Sequence, residues 1–311
     1  MKSKNNTVLL AALGANLGIA VAKFVAAAVT GSSAMLTEGV HSLVDSTNQL
    51  LLMYGEKRSK KQADAAHPGG YGRELYFWSF VVAILVFALG AGVSVFEGIR
   101  HVLDPEPAVS PLIAYGVLAL AFVLEGASTF TAFRDFDKNR GGKNWWDALV
   151  STKDATTAIV LLENGAAMAG ILIAAGGLAL SSLLQEPRID GAASILIGLL
   201  LAMVAIFLAR EAKGLLIGEA ADPALVAGIR AEIERPGVVG VGQIMTIHNA
   251  PEQIVAAANV DFDSNLGADD VERLVGEIEK SIQDKLPHVY RVYVRPHSGA
   301  GRKADRTSHA E

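Results

Sequence analysis

Apolar blocks of about 20 residues, the length of a membrane-crossing helix, fill the first two thirds of the sequence. They predict six transmembrane spans, at residues 7–29, 33–54, 76–100, 111–133, 153–181 and 190–216. The first block follows Lys2 and Lys4 and so resembles a secretory signal, but the further blocks favour an uncleaved first span. An apolar content of 51% agrees with an integral membrane protein.

Basic residues indicate which loops face the cytosol. They gather between spans two and three and between spans four and five, as Lys57, Arg58, Lys60, Lys61 and Arg73, and as Arg134, Lys138, Arg140, Lys143 and Lys153. The positive-inside rule places these two loops in the cytosol, and an even number of spans then places both termini there. We expect a bacterial inner membrane, with an organelle membrane as the alternative.

Beyond residue 217, where the predicted transmembrane domain (1–217) ends, short charged helices and strands replace the apolar blocks. The pattern predicts helices at Pro223–Glu234 and Ala268–Leu286 and strands at Val238–Ile247, Ile254–Phe262 and Val289–Val294. This mixture predicts a small α+β domain over residues 218–297, in which helices cover one sheet. Residues 298–311 are polar and predict a disordered tail.

The amino-acid composition limits which kinds of functional site and partner are possible. The chain has no cysteine, so a metal site must use His, Asp, Glu and neutral oxygen donors. A net charge of -5 argues against nucleic acid as a partner. The sequence contains no phosphate loop and no paired nucleophile and base, so we expect neither an enzyme nor a bound prosthetic group.

A polar stripe runs along the second span. Glu38, His41, Asp45 and Asn48 are spaced by 3, 4 and 3 residues. At roughly 100° per residue they share one helix face, and His41 and Asp45 are only about 40° apart. An imidazole and a carboxylate suit zinc, and also iron, cobalt or manganese, so this stripe predicts half of a metal site. The alternative is an internal Asp–His hydrogen bond that packs the helix.

The fifth span offers the second half, in the run VLLENGAAMAG. Glu163 lies deep in this span, and an intramembrane carboxylate usually faces the bundle interior and marks an ion path. We predict a metal site of His41, Asp45 and Glu163. Further ligands, or residues that contact the ligands, are Asn48, Asn164, Glu38 and Thr156. The alternative is a neutral, hydrogen-bonded Glu163.

The run TEGVHSLVDSTNQ, together with HPGGYGRELYFWSF and VLLENGAAMAG, resembles the cation diffusion facilitator family, in the branch that contains a mitochondrial zinc exporter. The resemblance covers roughly residues 8 to 296. It implies a homodimer with six spans per subunit, a ferredoxin-like, metallochaperone-like dimerisation domain in the cytosol, and exchange of zinc for protons.

The chain also departs from that family's pattern, which takes two metal ligands from each of spans two and five. His41 and Asp45 match the first pair, but Ile159 occupies the position that partners Glu163. The fourth ligand would then be Asn164, Asn48, Thr156 or water. In the soluble domain YVRP replaces the family's HVEP motif, so His248, His288 and His297 are expected to be scattered histidines.

These residues predict a mechanism. Metal binding needs a neutral imidazole and ionised carboxylates, so binding should release protons and protonation should release the metal. We therefore expect metal/proton antiport by alternating access. The alternative is a membrane metal sensor or scaffold that does not transport.

Overall fold

The structure is a computed structural model of the 311-residue chain and describes residues 2–105, 111–142, 144–151, 155–251 and 253–298. The predicted tail from residue 299 onward, and the predicted start of the fifth span at residue 153, lie outside these residues. The described chain divides into a helical unit up to Lys213 and a second unit that begins at Gly214. Residues 59–73 belong to the second unit.

Long helices build the first unit. They are α1 (Lys2–Thr30), α2 (Ser33–Ser59), α3 (Glu74–Leu85), α4 (Gly92–Leu103), α5 (Pro111–Asn139), the short α6 (Trp145–Ser151), α7 (Ala155–Leu184) and α8 (Arg188–Ile217). A π-helical segment, Val86–Ala91, joins α3 to α4 without a break. The sequence predicted this stretch as one regular span, and the widened turn is a local feature that apolar periodicity does not report.

Four helical stretches are long and apolar enough to cross a membrane within the described residues. They are Glu74–Leu103, Leu112–Lys138, Thr156–Leu184 and Arg188–Ile217. At most 39% of the most apolar part of each is buried inside the protein, so most of its apolar surface faces outward, as lipid contact requires. Within the part of α1 that the structure describes in full, Asn16–Thr30 is a shorter apolar helix. The polar stripe of α2 lowers the hydropathy of that helix.

Small residues bring α4 and α8 into backbone contact. A Cβ atom at Gly98 would lie 2.7 Å from the carbonyl oxygen of Gly191 and 2.7 Å from Cγ1 of Ile195. A Cβ atom at Gly198 would lie 2.7 Å from a methyl carbon of Val95. Glycine at these positions is therefore a packing requirement, of the kind that lets membrane helices approach closely.

The second unit contains α9 (Pro223–Ile233), β1 (Val238–Ala250), β2 (Gln253–Phe262), α10 (Ala268–Lys285) and β3 (Val289–Pro296). Strand β2 lies in the centre, antiparallel to β1 and parallel to β3. Ile229 and Ile233 of α9 and Ile278 and Ile282 of α10 are fully buried in the cluster that covers the sheet. A mostly helical chain with a small carboxyl-terminal sheet domain is thus confirmed. The described elements lack the first strand of the ferredoxin-like order β-α-β-β-α-β.

The segment 59–73 packs against the turn between β1 and β2. The side-chain amide of Asn249 donates to the carbonyl oxygen of Gly69 at 2.9 Å. Within the segment, the Tyr71 hydroxyl at 2.8 Å and the Lys61 ammonium at 3.1 Å both donate to the carboxylate of Asp64. These two hydrogen bonds hold the pKa of Asp64 well below its usual range.

Candidate metal site

His41 and Asp45 lie side by side on the buried face of α2. His41 is 2% exposed, and its Nδ1 is 3.4 Å from Oδ1 of Asp45. Neither ring nitrogen of His41, nor this carboxylate oxygen, has a hydrogen-bond partner among the described residues. The alternative of an internal Asp–His hydrogen bond is therefore not formed. Buried polar atoms without partners are costly, and three of them beside each other indicate a place where a ligand supplies the missing contacts.

Glu163 of α7 faces α2 inside the bundle. Its side chain is 6% exposed, and the amide nitrogen Nδ2 of Asn48 donates to its Oε1 at 2.6 Å. Asn48 is fully buried, and its own Oδ1 has no described partner. The hydrogen bond fixes Glu163 against the polar stripe of α2, so Asn48 acts first as a residue that orients the carboxylate.

A cavity of about 50 Å³ lies between α1, α2, α5 and α7. Its polar lining consists of Asn16, Ser42, Asp45, Gln49, Glu125, Ser128, Glu163 and Asn164. A single water molecule needs roughly 10–15 Å³ of such space, so the cavity has room for a cation with a few waters. Asp45 and Glu163, predicted from two different helices, thus line one buried space.

The other predicted residues are placed differently. Asn164 lines the cavity, whereas His41 contacts Asp45 without lining it, and Thr156 is half-buried outside the lining. No group of three or more His, Asp or Glu side chains in the described chain is close enough together to hold a metal ion. The ligand set of His41, Asp45 and Glu163 therefore stays a prediction. His41 lies next to Asp45, and Asp45 and Glu163 line the same cavity.

Glu38 is engaged in a buried ion network. The ammonium of Lys23, which is 0% exposed, donates to Glu38 Oε2 at 2.9 Å, to Ser42 Oγ at 2.8 Å and to Glu125 Oε1 at 2.8 Å. All three of its protons are used. Spacing within each helix did not decide between the roles open to these two residues, which are snorkelling or neutralising a carboxylate for Lys23, and lining an access path or capping helix contacts for Glu125. A lysine in an apolar span together with several intramembrane acids favours pairing but does not choose the partners.

Ile159 of α7, at the position where the family pattern has a ligand, is part of an apolar cluster. It is 1% exposed and packs with residues that include Val44, Val82 and Leu208. It offers no donor atom, so any fourth protein ligand must come from another position. In the second unit His288 and His297 are exposed, while His248 is buried in β1.

Comparison with known proteins identifies the family. Residues 9–217 match the family model of the cation efflux transmembrane domain. The human mitochondrial proton-coupled zinc antiporter SLC30A9 is 31% identical over 284 residues, which are 88% of this chain and 50% of the human protein. Metal tolerance protein C4 of Arabidopsis thaliana is 36% identical over 195 residues, 62% of this chain and 43% of that protein.

A bacterial relative is more distant but matches over nearly its whole length. Magnetosome protein MamB of Magnetospira sp. is 25% identical over 283 residues, 90% of each chain. By contrast, this chain spans about half the length of the mitochondrial relatives. The match to the family model covers well over half of the chain and includes every helix that lines the cavity. The chain therefore belongs to the cation efflux family of metal transporters, the cation diffusion facilitators.

Proposed function

We propose that this protein carries a divalent transition-metal cation, zinc first among candidates, across a membrane in exchange for protons. The observation that carries the proposal is the shared cavity. Asp45 from α2 and Glu163 from α7 both line it, and the unpaired imidazole of His41 lies next to Asp45. Carboxylates and an imidazole from two helices are the donors that a zinc ion takes in proteins without cysteine.

Proton exchange follows from the chemistry of these donors. Each must give up its proton to bind a cation, so cation and protons compete for the same atoms. Alternating access around His41, Asp45 and Glu163 would turn that competition into antiport. The human and other vertebrate relatives are named proton-coupled zinc antiporters, which supports both the cation and the protons. Iron, cobalt and manganese remain alternatives because the donor set has no thiolate.

The proposal includes an arrangement in the membrane. Helices α1 and α2 would join the four apolar stretches to give six spans, with both termini in the cytosol and the basic segment 57–73 on the same side. Residues 1–217 would form the transport domain. Residues 218–297 would form a domain like ferredoxin without its first strand, through which two copies dimerise. The host membrane would be a bacterial inner membrane, or else that of an organelle.

A second candidate function is a membrane metal sensor or scaffold without transport. No three His, Asp or Glu side chains in the described residues lie close enough together to hold a metal ion, which favours the scaffold, a bundle whose polar groups serve packing. Measured flux separates the two functions, since a sensor would bind zinc and move none.

The test is zinc uptake by proteoliposomes that contain the full chain, with and without a pH gradient. We expect wild-type uptake that rises with an opposing proton gradient, and loss of uptake in His41→Ala and Glu163→Gln. Purification as a single folded species by size exclusion is the control for both variants. Uptake by wild type equal to empty vesicles would contradict transport, full uptake by His41→Ala would contradict the site, and insensitivity to pH gradients would contradict the antiport.

A further inference from the structure

We propose that Glu125 of α5 is the fourth donor to the transported cation, and that Lys23 of α1 orients it. The proposal rests on the proposed transport function. It moves the missing ligand from α7, where Ile159 offers no donor atom, to a helix that the predicted site does not use. The cation would then be held by His41, Asp45, Glu163 and Glu125.

The position of Glu125 supports this assignment. It lines the same cavity as Asp45 and Glu163, on the wall formed by α5. Its side chain is 16% exposed, and its Oε2 is buried without a hydrogen-bond partner in the described residues. A buried carboxylate oxygen left unpaired beside a partly open cavity is an unsatisfied acceptor, and a cation would satisfy it. Independently of these acids, both nitrogens of the buried imidazole of His41 also lack partners.

Lys23 explains how Glu125 is held in place. Its ammonium binds the other oxygen, Oε1, at 2.8 Å, and uses its remaining protons on Glu38 and Ser42. Three contacts fix the ammonium between α1, α2 and α5. Glu125 therefore has one anchored oxygen and one unpaired oxygen, the arrangement by which residues behind a metal site orient its ligands.

Glu38 belongs to the same network but differs in one respect. It binds Lys23 at 2.9 Å and is fully buried, yet it does not line the cavity. Its Oε1, like Oε2 of Glu125, is buried without a hydrogen-bond partner in the described residues, but it lies against Gly170 of α7 and not in the cavity. Glu38 thus neutralises Lys23 at a position away from the cavity, while Glu125 faces the cation. The two acids share Lys23 as a counter-ion but have different roles.

Coordination chemistry favours Glu125 over the other candidates. Zinc in a closed protein site takes four donors, and a carboxylate binds it with charge as well as a lone pair. Asn164 also lines the cavity but offers only a neutral amide oxygen, and Asn48, which orients Glu163 through its amide nitrogen, does not line the cavity. Three carboxylates and one imidazole would also suit manganese or iron, which accept more oxygen donors than zinc.

The experiment compares three single substitutions in the full-length chain. Glu125→Gln removes the proposed ligand charge but leaves Lys23 paired with Glu38. Glu38→Gln also removes one negative charge from the Lys23 network, but at a position that does not line the cavity. Glu97→Gln is the matched control, because Glu97 is 17% exposed and pairs with Arg100 at 3.0 Å outside the cavity. The readouts are the zinc concentration for half-maximal uptake in proteoliposomes and equilibrium binding of zinc alone in detergent.

We expect Glu125→Gln to raise the half-maximal zinc concentration and the dissociation constant by at least about tenfold, the lower end of what loss of a residue that orients a metal ligand costs. Glu38→Gln should raise both by a smaller factor, because Glu38 does not line the cavity and acts only through its charge. Glu97→Gln should match wild type. Equal effects of Glu125→Gln and Glu38→Gln, or none for Glu125→Gln, would overturn the proposal.

Two further measurements keep the result clear. If Glu125→Gln does not fold, Glu125→Asp retains the charge with a shorter reach, and an unchanged half-maximal zinc concentration in that variant would also overturn the proposal. Glu163→Gln is measured beside it. Loss of transport in Glu163→Gln with wild-type behaviour in Glu125→Gln rejects only the fourth ligand, whereas a wild type that moves no zinc rejects the proposed function itself.

Discussion

The structure predicts a large loss of stability for Lys23→Met. This substitution removes a fully buried ammonium that binds two carboxylates at 2.9 and 2.8 Å. Methionine has nearly the same length and no charge, so the packing changes little. The fully buried Glu38 and the partly buried Glu125 would then remain together without a counter-ion.

Breaking a buried ion pair by removing one partner costs about 3–5 kcal/mol, because the remaining charge is uncompensated. At roughly 2–4 °C per kcal/mol for a large domain, this corresponds to a fall in melting temperature of about 6–20 °C. The triple variant Lys23→Met, Glu38→Gln, Glu125→Gln removes all three charges. Neutral replacement of a whole buried ion group often costs little, so we expect the triple variant to recover most of that loss.

The assay is thermal unfolding of the purified full-length protein in detergent, followed by tryptophan fluorescence at a fixed heating rate. Leu50→Met, at a half-exposed position on α2, is the control for a methionine in this bundle and should melt like wild type. A Lys23→Met protein that melts with wild type would refute the buried network. A triple variant less stable than the single one would refute the argument from uncompensated charge.

Three smaller perturbations test other contacts. Asn48→Ala removes the amide that orients Glu163, so the half-maximal zinc concentration for uptake should rise by about 10- to 100-fold while the protein remains folded. An unchanged half-maximal concentration would show that Glu163 does not need the hydrogen bond from Asn48. Gly98→Ala should lower the melting temperature by an amount equivalent to about 1–3 kcal/mol, because its Cβ would meet the α8 backbone, whereas Gly116→Ala, with nothing within 4 Å, should not destabilise. Asp64 has a lowered pKa in the folded protein, so its stabilisation of segment 59–73 is complete above roughly pH 4 and is lost as the pH falls through that lowered pKa. Limited proteolysis of the segment should therefore increase at low pH in wild type. In Asp64→Asn the same increase should already be present at pH 7.

The sequence predicted the helices and the α+β unit because the spacing of apolar residues depends on the local structure of each segment and not on which segments pack together. It also predicted that Asp45 and Glu163 would approach each other, since intramembrane acids avoid lipid. It did not predict that Glu38 would leave its stripe partners for Lys23, because a helical spacing says which side chains share a face and nothing about which helix lies opposite. The hydrogen bond from Asn48 to Glu163 depends on the same missing information.

Two other features were beyond sequence reasoning. The π-helical segment Val86–Ala91 has the same apolar composition as the α-helix around it, so no residue type marks the widened turn. The sequence indicates only a basic connecting loop for segment 59–73. Its association with the second unit depends on the hydrogen bond from the Asn249 side-chain amide to the carbonyl oxygen of Gly69 and on the close approach of Gly72 to the backbone of Asn249. The side-chain charges from which the orientation was predicted do not encode either contact.

The glycine contact between α4 and α8 has a consequence for movement. Two helices whose backbones touch at Gly98 and Gly191 have no intervening side chains to change rotamer, so they cannot slide or tilt past each other in small steps. They should travel as one rigid pair. In the proposed alternating access, opening and closing around the cation would then come from α1, α2 and α5, which line the cavity, moving relative to this pair.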